Sequence, residues 1–148
     1  MHCRNDNNGA TRNMSRQIQT TVVPKNEYKN YWEKGNQFYN VMIMCLQDSE
    51  WDAVLLNGVH ACISANDALA VFYLGKRSIS KSHQDATQLL LQAPLKEEGR
   101  KNAARLSEIL NLKHQIEYEP RRFTEKDAHD FAKKVERFIL WAKEKLPL

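Results

Sequence analysis

WDAVLLNGVHACISANDALAVFYL, from Trp51 to Leu74, is the long stretch of this sequence whose apolar residues are not confined to one helical face. At about 100° per residue, Val54, Leu55, Val59, Cys62, Ile63, Leu69, Phe72 and Tyr73 spread around most of the circumference. A helix of that kind is surrounded by others. Asn57, His60, Ser64 and Asp67 stand three or four residues apart and share one polar stripe. Something polar must meet that stripe, because an unpaired buried polar group costs about 1–3 kcal/mol. A partner helix, a second subunit, water or a ligand would each serve. Gly75 is placed to close this helix as a left-handed C-terminal residue.

Working outward, apolar residues recur at steps of three and four from Tyr28 to Leu46, which predicts a first helix starting at Glu27. Gly35 in its middle costs roughly 1 kcal/mol against Ala and reads either as a close helix crossing or as a tolerated defect. Ser49 with Asp52 reads as the N-terminal cap of the central helix. Residues 75–82 form a basic loop, and Ser82 reads as the cap of a short helix through Gln92, stopped by Pro94. A fourth helix is expected over Lys96–Tyr118, with Ala103, Leu106, Ile109, Leu110 and Ile116 inward. Thr124 and Asp127 cap a last helix whose inward stripe runs from Ala128 to Leu146 and leaves Leu140 and Trp141 outside it. No segment alternates with period two for long enough to predict a strand. The expected architecture is therefore all-α, an antiparallel four- to five-helix up-and-down bundle.

The 148 residues, 42% apolar and 27% charged, suit one core. Residues 1–26 carry little apolar pattern and are expected to be a disordered tail, with the bundle over 27–148 and the start at Met1 or Met14. Cys3, Cys45 and Cys62 lack metal or redox spacing, so no metal and no cofactor are expected. No signal-peptide pattern or uninterrupted membrane span is apparent, which predicts a cytoplasmic protein with no membrane association. A formal charge of +4 mildly favours a polyanion, a nucleotide or an acidic partner.

Four segments carry a resemblance: AVLLNGVHACISANDALAVFYLGKR, SHQDATQLL, LKHQIEYEP and RFTEKDAHDFAKKVERFILWAKEKL, spanning roughly residues 27 to 146 in this order. Together they resemble the HEPN domain family (higher eukaryotes and prokaryotes nucleotide-binding domain). The resemblance implies a helical-bundle homodimer, a minimal nucleotidyltransferase as partner protein, and a toxin–antitoxin setting in which many members are ribonucleases. Those nucleases carry an Arg, then four to six residues, then a His. In this chain Lys113 stands where the Arg would be and Tyr118 where the His would be, so both defining residues are missing.

Lys113 still offers a point charge to a phosphate, whereas Tyr118, with an ordinary pKa near 10, is a poor general base. His114 beside Lys113 is the candidate substitute. Two functional readings follow. One is a non-catalytic homodimeric module that binds a nucleotide, an RNA phosphate or a nucleotidyltransferase along a cleft edged by Lys76, Arg77, Lys113, Arg121 and Arg122. His83, His114 and Tyr118 belong to the same candidate set. The other is a ribonuclease with a rearranged site drawn from His60, His83, His114 and Tyr118, with Lys113 beside them. Against both stands the plainer view that the cations are a solvated face and the helical stripe is satisfied internally.

Overall fold

The computed structural model describes residues 17–148. At its centre is α2 (Trp51–Leu74), which packs most extensively against α1 (Tyr28–Gln47) and next against α6 (Glu125–Lys145). It also touches α3 (His83–Leu90), α4 (Lys96–Asn111) and α5 (Lys113–Tyr118), as expected of a helix apolar nearly all round. The fold is an all-α antiparallel bundle. Gly75 closes α2 in the left-handed region, φ 67°, its N–H donating to the Val71 carbonyl.

Two glycines set how closely the helices approach. A Cβ on Gly35 of α1 would lie 3.1 Å from the Ala61 carbonyl oxygen and 3.2 Å from the Ala65 amide nitrogen, so α1 crosses the bare backbone of α2. A Cβ on Gly58 of α2 would lie 2.5 Å from the Phe131 ring and 2.9 Å from the Met42 sulfur. That spot is where α1 and α6 both seat on the central helix.

The cap of α6 forms as its sequence requires. Thr124 Oγ1 accepts from the Asp127 amide at 3.1 Å, and Asp127 Oδ2 accepts from the Thr124 amide at 2.9 Å. Its inward stripe, Phe131, Val135, Phe138, Ile139 and Ala142 among others, is buried. Leu140 is exposed, as expected, but Trp141 is only 7% exposed. The reason is that α4 runs antiparallel along a second side of α6, tied by Lys145–Glu98 at 2.9 Å and Lys134–Glu108 at 3.3 Å.

Other expectations need correction. A small antiparallel sheet exists: β1 (Thr20–Val22) pairs with β2 (Lys76–Ser78), Thr21 opposite Arg77. The β-branched run TTVV and the basic loop were each too short to show an alternating pattern. The sheet also moves the boundary of the expected tail, because Val23 is buried in the core and residues 17–26 are part of the fold. Residues 1–16, with Met1, Cys3 and Met14, lie outside the described residues.

Ser49 does not cap α2. It adopts φ 60°, and the amides of Ser49 and Glu50 donate back to the Leu46 and Cys45 carbonyls, closing α1 instead. Asp52, released from capping, accepts from the Phe123 amide and the Arg122 Nε, both at 2.8 Å, and so ties the start of α2 to the approach to α6. Ser82 occupies the cap position of α3 without a side-chain cap bond. The expected fourth helix breaks at Leu112 into α4 and α5. Although α2 is long and apolar enough to cross a membrane, most of it is buried by its neighbours here.

Candidate functional site

The break at Leu112 builds the site. It turns α5 onto α2 and α4, so that Lys113, His114, Glu117 and Tyr118 face Lys81 and His83 across a pocket of about 350 Å³. The opposite wall is the start of α3, where Ser80 Oγ accepts from the Ser82 amide and donates to Asp85 at 2.7 Å. Gln84 forms one end, held rigidly because it donates to Asn111 Oδ1 and accepts from Ser107 Oγ, each at 2.7 Å.

Charge in the pocket is partly cancelled. Lys113 Nζ lies 2.9 Å from Glu117 Oε2, and this contact holds the Glu117 carboxyl below its usual range. Burial, then the Lys113 charge, pulls the His83 imidazole down from its ordinary pKa, with Glu117 opposing and His60 adding to the effect. His83 is thus neutral at pH 7 and presents a hydrogen-bond acceptor as well as a donor. The His114 ring lies 5.2 Å from that of Tyr118, which is 72% exposed at the rim. His60, on α2, stacks on Phe38 of α1 at 5.4 Å and is close enough for its charge to act on His83 and Glu117.

The remaining candidates do not converge there. Lys76 borders a separate cavity with Gln17, Thr20 and Leu89. Arg77 lies 3.6 Å from Asp67, with its guanidinium 5.5 Å from the Tyr31 ring. Arg121 meets Asp127 at 3.6 Å, and Arg122 meets Asp52 at 2.8 Å. The five expected cations therefore form no single edge, and four of them face carboxylates. The polar stripe of α2 is met mainly from α1 and β2: Ser64 against Gly35, His60 against Phe38, and Asp67 against Arg77. Asn57 donates to the Ala53 carbonyl of its own helix. Lys81, Gln84, Asn111 and Glu117 are pocket residues that the sequence reading missed. Lys81 had left a signal as part of the basic loop, and Glu117 as the i+4 partner of Lys113.

Asp67 titrates abnormally. Burial raises its pKa to about 6, against the opposing charges of Arg77 and Lys34. A carboxyl whose folded pKa lies above its unfolded value contributes stability that is complete below about pH 4 and lost as pH rises through about 6. Asp67→Asn should abolish a loss on the order of 2–3 kcal/mol between pH 4 and 7. Urea unfolding at a series of pH values checks this, and parallel profiles for both proteins would refute it.

Among the described residues no group of three or more His, Cys, Asp or Glu could hold a metal ion, and Cys45 and Cys62 are free thiols. No protein-family model matches this chain, and no curated protein matches it.

Proposed function

We propose that the protein is a HEPN-like, non-catalytic module that binds the phosphate of a nucleotide or RNA in the pocket between α3 and α5. The observation that carries this reading is the convergence of Lys81, His83, Lys113 and His114 on one cavity with an exposed aromatic at its rim. Two lysines against Glu117 leave a small positive excess, which suits weak, salt-sensitive anion binding. Tyr118 and His114 offer ring faces on which a base can stack. Lys113 and Tyr118 in place of the family's Arg and His speak against catalysis of the family's kind.

The test is fluorescence anisotropy with a short labelled single-stranded RNA across a salt series. Changing Lys81 and Lys113 together to Ala should weaken binding and lower the salt slope by about 0.7 per lysine. The Arg121→Ala, Arg122→Ala pair should change it little, since Asp127 and Asp52 already engage those side chains. Unchanged binding after loss of both lysines would refute the site.

A ribonuclease with a rearranged site is the second reading, favoured by His83 and His114 lining the same pocket as Lys113, with His83 neutral. Under it, purified protein cleaves RNA and His83→Ala or His114→Ala lowers the rate about 10²–10⁴-fold.

As partner we propose a second copy of the chain, with a nucleotidyltransferase as the alternative. Phe38, Val41 and Met44 leave an exposed apolar arc on α1 next to His60, a surface suited to burial against another protein. Val41→Glu should convert a dimer to monomer in light scattering without loss of helical signal. A wild-type monomer at about 100 μM would remove the homodimer, since that concentration favours even a weak dimer.

A further inference from the structure

We infer that the groove between α3 and α4 is a second binding site, for a small amphipathic anion: a flat apolar body ending in one carboxylate or sulfonate. The groove encloses about 690 Å³, roughly twice the α5 pocket and within the usual ~300–1,000 Å³ of small-molecule sites. Its apolar part comes from Leu90, Leu91 and Ala93 on one side and the small side chains of Ala103 and Ala104 on the other. Leu91 is exposed on the lip, uncovered by any of the described residues.

The polar groups say what kind of body fits. Thr87 lines this groove, is 4% exposed, and its Oγ1 has no hydrogen-bond partner among the described residues. That oxygen is closed off from the groove surface, so the groups that select an occupant are the charged ones at the mouth. At the mouth Lys96 and Arg100 stand against one carboxylate, Glu97, which lies 3.3 Å from Arg100. Two cations with one counter-charge favour an anionic end group. At the far end the Gln84 amide is held by Ser107 and Asn111 and forms a polar wall. A groove walled by an amide at one end and charged at the other suits a short molecule with an anionic end group. The same Gln84 wall separates it from the phosphate pocket.

The experiment is a fluorescence titration of the whole chain with 8-anilinonaphthalene-1-sulfonate, whose fused rings and sulfonate match this description. Saturable one-to-one enhancement is expected. Ala104→Trp and Gln88→Trp, both at exposed positions lining the groove, should each weaken it at least tenfold while circular dichroism and thermal midpoint stay unchanged. Using two filling variants guards against one failing to fold. Changing Lys96 and Arg100 together to Gln should weaken the sulfonate probe about tenfold, the scale of one charge-assisted hydrogen bond, and leave neutral N-phenyl-1-naphthylamine unaffected. Absence of saturable binding to the unmodified protein, or undiminished binding in both folded Trp variants, overturns the site. Equal loss of both probes in the double Gln variant overturns the anionic specificity. RNA binding that persists in the Trp variants shows that this site is independent of the phosphate pocket.

Discussion

Trp141→Glu is expected to unfold the protein instead of dividing a dimer. Trp141 is 7% exposed, its ring centroid 5.9 Å from that of the fully buried Phe138, in the angle between α4 and α6. Removing a buried Trp side chain costs about 3–5 kcal/mol, and a carboxylate in the space left behind adds a desolvation penalty. Against a total stability of about 5–15 kcal/mol for a domain, most of the folded population is lost. Circular dichroism and a urea titration read this directly. A helical, cooperatively unfolding Glu variant would show that the α4–α6 angle is open to water. Val41→Glu, on the exposed arc of α1, is the contrasting change and should leave a folded, cooperatively unfolding chain.

Gly58→Val is expected to cost about 3 kcal/mol, the upper end of the overpacking range. The Cβ alone would come within 2.5 Å of the Phe131 ring, 2.9 Å of Met42 and 3.1 Å of Val135. Loss of a glycine from a helix interior returns less than about 1 kcal/mol, which does not offset that overlap. The thermal midpoint should fall by roughly 10 °C for a chain of this length. A midpoint within about 2 °C of the unmodified protein would mean that α1 and α6 slide apart at little cost.

What the sequence showed and what it hid divide along physical lines. The central helix, its Gly75 stop, the Thr124–Asp127 cap and the crossing at Gly35 all follow from local signals: periodicity, a left-handed glycine, a paired cap, a missing Cβ. Trp141 was misplaced because a helical wheel counts one packing partner, whereas α6 has both α2 and α4 beside it. The β1–β2 pairing joins residues more than fifty apart through three-residue segments, below the length at which alternation can be seen. Of the site, His83, Lys113, His114 and Tyr118 were legible as residue types, but their meeting depends on the break at Leu112. Which cations would be engaged by Asp52, Asp67 and Asp127 is set by tertiary contacts, invisible to spacing along the chain.

α5 is six residues long and contains no fully buried side chain, yet it supplies much of the pocket that faces the start of α3. A single turn and a half with so little anchoring detaches from the bundle at a free-energy cost well below that of global unfolding. Its amide hydrogens therefore exchange with solvent while those of α2 stay protected. Every departure of α5 dismantles the pocket, so the apparent affinity for any ligand there is the intrinsic one scaled by the fraction of time α5 is docked. A substitution that fastens α5 to the bundle would tighten binding without touching a single ligand contact.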